Sequence, residues 1–190
     1  MFRNYCYSLL LAFTLFTGWS PVFAESAHTI NWVDLLPQAD FDALSNPPEY
    51  ISEIDDGSLE DQISNDLQQA LTLASDDAYQ QALISTNVVP DMDGQQIRLP
   101  GFIVPLGFDG EQRSKTFFLV PYFGACIHLP PPPPNQIIHG EFAEGIEITD
   151  IYNAYWVTGT LHTTLTKNDT ATSAYSLTVT SIEVYEDEEE

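Results

Sequence analysis

QIRLPGFIVPL, residues 96–106, is the stretch on which the fold turns. It reads as a β-strand bent where Pro100-Gly101 interrupts it. Four further stretches share its texture. They are KTFFLVPYF (115–123), residues 137–142, IYNAYWVTGTLH (151–162) and AYSLTVTSIEVY (174–185). The fourth strand is rich in β-branched and aromatic residues. In the fifth, Tyr175, Leu177, Val179, Ile182 and Val184 fall mostly at alternating positions. Five strands within residues 95–185, without long helices between them, predict a mainly β fold. The expected form is a small antiparallel OB-like five-stranded barrel with an N-terminal helical segment; a β-sandwich fragment is the alternative.

On the N-terminal side, Asp91-Met92-Asp93-Gly94 reads as the turn into the first strand. Its glycine is misplaced for a calcium loop, and no bidentate glutamate follows at the right distance. SLEDQISNDLQQALTLAS (58–75) predicts a helix, because Leu59, Ile63, Leu67, Leu71 and Ala74 form one apolar stripe. Ser58 is placed to cap it. A second short helix is predicted over residues 77–85. HTINWVDLLPQADFDAL (28–44) reads as a docking segment without regular structure, ended by Asn46-Pro47-Pro48. Residues 25–94 are thus expected to pack on the barrel of residues 95–185. EDEEE (186–190) reads as a solvated acidic tail.

Arg3, the short apolar run SLLLAFTLFT (8–17) and the small-residue pattern of Val22-Phe23-Ala24 predict a signal peptide over residues 1–24. The expected location is the periplasm, with no stable membrane insertion after cleavage. Cleavage would remove Cys6 and leave Cys126 as the sole thiol, so no internal disulfide is expected. The chain carries 28 acidic residues against 5 basic ones, a formal net charge of −23. Phosphate recognition needs clustered lysine and arginine, so nucleic acid is excluded as an expected partner.

GACIHLPPPPPNQIIHG (124–140) holds the candidate chemistry. Cys126 and His128 are two apart, so an extended backbone projects both to one face. A thiolate beside an imidazole is half of a soft-metal site. Pro130 to Pro134 predict a stiff polyproline II run. Asn135-Gln136 can turn the chain and return His139 to the same neighbourhood, with His162 a further ligand and Glu141 an acidic one. A buried cysteine with hydrogen-bonded histidines would need the same residues and no metal. As a thiol enzyme or redox protein the chain would use Cys126 as thiolate, with His139 or His162 as base.

RLPGFIVPL and FFLVPYFGACIHLPPPPPNQIIH, with NWVDLLP near the predicted mature start, resemble an uncharacterised family of bacterial exported proteins, domain of unknown function 3299. The resemblance implies an OB-like barrel and no established activity. Its members are often encoded beside an ABC transporter and a histidine-rich exported zinc-binding protein. The resulting expectation is a periplasmic, non-enzymatic accessory protein binding a transition metal, most simply zinc, through Cys126, His128, His139 and His162. Its partners would be a transporter subunit or a periplasmic metal-binding protein. The alternative is a metal-free interaction module that uses the barrel groove and the proline loop.

Overall fold

The computed structural model describes residues 26–47, 78–125, 131–148 and 150–186. The predicted signal peptide, the helix expected over 58–75, Cys126, His128 and most of the acidic tail lie outside these residues. Along the chain come strand β1 (His28–Thr29), a 3-10 turn (Trp32–Leu35), helix α1 (Gln38–Leu44) and helix α2 (Ala78–Leu83). The strands that follow are β2 (Gln96–Pro105), β3 (Ser114–Val120), β4 (Ile138–Ile146), β5 (Ala154–His162), β6 (Thr166–Lys167), β7 (Thr172–Ser173) and β8 (Tyr175–Val184). Among the described residues, no helix is long and apolar enough to cross a membrane.

Five long strands close into a barrel in the order β2-β3-β4-β8-β5, with β5 pairing back onto β2. These are the five strands expected from the sequence. The ring differs from a purely antiparallel one, because β4 and β8 run parallel. Strand direction alternates around an antiparallel ring, and five is odd, so one neighbouring pair must run the same way. β1 adds a second parallel pairing, placing His28 opposite Ile97 and Thr29 opposite Arg98.

The strands alternate as a filled barrel requires. On β2, Ile97, Leu99, Gly101 and Ile103 are buried, while Arg98, Pro100, Phe102 and Val104 face outward. Phe117, Leu119, Ile138, Val157, Leu161, Tyr175 and Leu177 complete the interior. Two glycines admit close neighbours. A Cβ at Gly140 would lie 2.5 Å from Cε2 of Phe117, and one at Gly159 would collide with the Thr178 carbonyl.

The segment 28–44 is more regular than its sequence suggests. Ile30 and Leu35 belong to the barrel's own core, and that burial holds β1 and the 3-10 turn in place. The fully buried Tyr175 side chain fixes the attachment. Its hydroxyl donates to the Leu35 carbonyl at 2.9 Å and accepts the Val89 N–H at 2.7 Å. Desolvation raises the Tyr175 phenol above its ordinary value of 10.0, opposed by the Val89 hydrogen bond. Trp32 Nε1 donates to the Pro100 carbonyl at 2.7 Å.

Candidate functional site

Ala125 and Ile137, on either side of the proline segment, cover part of the barrel's outer wall. Phe118 and Val120 point outward from β3, where they would be exposed on a bare barrel. Instead they are buried with Ala125 and Ile137, flanked by Phe102, Val104, Leu106 and Ala171. Pro132 and Pro133 are buried and Pro131 is exposed. Pro133 has φ −62° and ψ 157°, the polyproline II conformation expected of the run. Its described part is therefore packed against the protein and not displayed as a free ligand for an aromatic groove.

Asn135 and Gln136 make the anticipated turn, as a single 3-10 turn at Pro134–Gln136. Both side chains are tied to the N-terminal segment. Asn135 Nδ2 donates to the buried Asp40 carboxylate at 2.8 Å and to the Asn87 carbonyl at 3.1 Å. Ser85 Oγ donates to the same Asp40 oxygen at 2.5 Å. Gln136 Nε2 donates to the Trp32 carbonyl at 2.9 Å. The turn that launches β4 is thus held by buried polar groups that hydrophobic periodicity does not reveal.

This turn delivers His139 onto β4. The register then places His139 opposite Phe118 on one side and Ser176 on the other. Ser176 is also opposite His162 on β5. Residues in register share a face, so Phe118, His139, Ser176 and His162 form one outward row. The two histidines lie two strand spacings apart, roughly 10 Å between backbones. The imidazole of His139 meets the Phe118 ring edge-on, with centroids 5.9 Å apart. Its Nδ1 is 3.8 Å from Glu141 Oε1, and its side chain is 13% exposed. His162 Nε2 is 3.2 Å from Thr178 Oγ1.

The row brings His139 and His162 to one face and gives His139 its carboxylate neighbour, Glu141. It does not pair the two imidazoles with one another, since Nδ1 of His139 faces Glu141 and Nε2 of His162 faces Thr178. Among the described residues, no group of three or more His, Cys, Asp or Glu side chains could hold a metal ion. Of the four ligands expected from the sequence, His139 and His162 lie among the described residues, while Cys126 and His128 lie outside them.

A groove of about 410 Å³ runs between α1 and α2, lined by Ala39, Ala43, Ala82 and Asp40. It contains no histidine or cysteine and lies apart from this row.

A second surface feature departs from the sequence reading. Residues 121–123 were expected to continue the second strand and residues 151–153 to begin the fourth. β3 ends at Val120 and β5 begins at Ala154, so Tyr122, Phe123, Ile151 and Tyr152 stand on loops. Phe123 packs on Phe102 with centroids 6.2 Å apart and on Tyr152 at 4.6 Å. The signal in the sequence was two apolar-aromatic pairs at predicted strand ends, which period-two counting absorbed into the strands.

The model of a family described as a protein of unknown function (DUF3299) matches residues 32–184. A crystal structure of a DUF3299 family protein from Pseudomonas aeruginosa PAO1 is similar at 31% identity. The match covers 87% of this chain and 100% of that one, with a TM-score of 0.60. None of the curated proteins matches.

Proposed function

The chain belongs to this family of unknown function, DUF3299, and from that premise we propose that it is an exported, non-enzymatic protein that binds a transition metal for an envelope transport system. Zinc is the metal, with Cys126, His128 and His139 as ligands and His162 as the outlying fourth.

The observation that carries this reading is the position of His139. Its ring abuts Phe118, and Phe118 shares a buried cluster with Ala125. In the sequence, Ala125 is followed directly by the proposed thiolate ligand, Cys126. Glu141 supports the same reading. Its carboxylate lies 3.8 Å from Nδ1, beyond hydrogen-bond distance but on the side where metal-bound imidazoles generally have an orienting carboxylate. A thiolate with imidazoles suits zinc among the borderline and soft ions.

The test is zinc titration of the purified protein against a competing chelator. One equivalent should bind. Cys126→Ser and His139→Ala should each weaken binding at least tenfold, on the order of the loss seen when a ligand or its orienting partner is removed. His162→Ala should cost less. Retention of less than about a tenth of an equivalent, unchanged in Cys126→Ser, would sink the reading.

A further inference from the structure

The aromatic loops carry a site that the metal reading does not use. Phe102, Phe123 and Tyr152 form a connected run of rings, and Tyr152 is 68% exposed. Ile151 beside it is 53% exposed. The strand register extends this apolar surface. Phe102 is opposite Ala154 on β5, and Pro100 is opposite Trp156, so the rings sit on one outward face of the β2–β5 pair. An apolar patch of this kind on a soluble protein marks a contact surface.

Its surroundings are acidic. Asp150 precedes the loop aromatics and is exposed. Glu183 is opposite Trp156 on β8. The Tyr185 N–H donates to the Ala154 carbonyl at 2.9 Å, which brings Glu186 to the same edge.

We infer that this face binds a basic segment of another protein, with arginine or lysine side chains laid on the rings of Phe123 and Tyr152 and paired to the flanking carboxylates. Charge complementarity selects that occupant. The chain has 28 acidic residues against 5 basic ones, so a second copy would be repelled, whereas a cationic partner is attracted. The same chemistry already occurs next to this surface, within the chain. The Arg98 guanidinium carbon lies 4.0 Å from the Trp156 ring centroid, while its Nη2 is 3.3 Å from Glu183 Oε2. A guanidinium between an indole face and a carboxylate combines cation–π attraction with an ion pair. Tyr152 and the carboxylates around it offer the same pair of groups to a cation supplied from outside.

The probe is a ten-residue peptide alternating arginine and leucine, titrated calorimetrically into the full protein. About 0.3 M salt screens the general attraction of an acidic protein for any cation. The peptide should bind one to one. Tyr152→Ala should weaken it about threefold, and the Phe123→Ala/Tyr152→Ala pair about tenfold, as expected for loss of one and then two exposed ring contacts. Leu165→Ala, an exposed apolar residue on another loop, should leave affinity unchanged. Tyr152 is exposed enough that its truncation should leave the circular dichroism spectrum intact, so the single variant suffices if the double one misfolds. Equal peptide affinity in Tyr152→Ala and the unaltered protein would overturn the inference. So would a glutamate–leucine peptide binding as well, an N-acetylglucosamine tetramer being the species whose binding Tyr152→Ala abolishes, or self-association that Tyr152→Ala removes. None of these residues is a proposed zinc ligand, so the zinc titration and this one fail independently.

Discussion

Replacing Tyr175 with phenylalanine removes one oxygen from the centre of the barrel and tests how the N-terminal segment is held. The hydroxyl serves two partners, the Leu35 carbonyl and the Val89 N–H. Leu35 is fully buried, so its carbonyl has no water to turn to. Val89 is half-buried, and water can meet part of its loss. An orphaned buried polar group costs about 1–3 kcal/mol. With one partner fully stranded and one partly so, the expected loss is about 2 kcal/mol. In a chain of this size 1 kcal/mol moves Tm by about 2–4 °C, so Tm should fall by roughly 4–8 °C in a calorimetric scan. Hydrogen exchange gives a second readout, with faster exchange at Leu36 and Val89, whose neighbours the hydroxyl ties together. Tyr155→Phe is the control. Its hydroxyl makes one long bond, 3.4 Å to the Asp150 carbonyl, and should cost under about 0.5 kcal/mol. A Tm drop below about 1 °C for Tyr175→Phe, or equal drops for both variants, would refute the argument that this hydroxyl anchors the segment.

Three other expectations follow from the same interior. Burial raises the phenols of Tyr175 and Tyr155 above their ordinary value of 10.0. The folded protein therefore holds those protons more tightly than the unfolded chain. Stability from this source is intact below pH 10 and falls as pH rises beyond it; Tm across that range should decline less steeply in Tyr175→Phe. Asp40→Ala strips the acceptor from Ser85 Oγ and from one bond of the fully buried Asn135, and should lower the urea midpoint by the equivalent of about 1–3 kcal/mol. Asp40→Asn, which keeps a carbonyl oxygen in place, should lose less. Gly159→Ala drives a methyl against the Thr178 carbonyl at the bulge between Thr158 and Gly159, and overpacking there should cost about 1–3 kcal/mol by chemical denaturation.

The strands were legible because their pattern is local. Ile97, Leu99 and Ile103 alternate with outward residues, and Tyr175, Leu177 and Val179 do the same, so each strand announces itself without reference to its neighbour. Pairing partners are not local, and the parallel contact of β4 with β8 came only with the structure. Yet it was implicit in the strand count, since an odd ring cannot alternate throughout. The segment 28–44 was misread because Leu35 and Ile30 owe their order to burial in a barrel formed by residues 60 and more positions away. Asp40 looked like one more surface acid among 28 until Asn135 and Ser85 were found on it. For the site, turn chemistry made the reversal at Asn135-Gln136 legible, and the structure has it as a 3-10 turn at Pro134–Gln136. The row through Ser176 could not be read, because it depends on the register of three strands at once.

The placement of β8 also has a bearing on when the protein can exist at all. β8 follows the other four barrel strands in the chain, and it sits between β4 and β5, which do not pair with one another. Until residue 184 has been synthesised, β4 and β5 present unpaired edges to whatever surrounds them, the kind of exposure that templates aggregation. A growing chain can form the β2–β3 and β2–β5 ribbons early, but the ring stays open until its C-terminal strand arrives. Closure of the ring is therefore coupled to the synthesis of β8 and not to that of the four strands before it. A barrel built this way keeps two open edges until its fifth strand has been made, so β8 acts as the closing piece for the four strands before it.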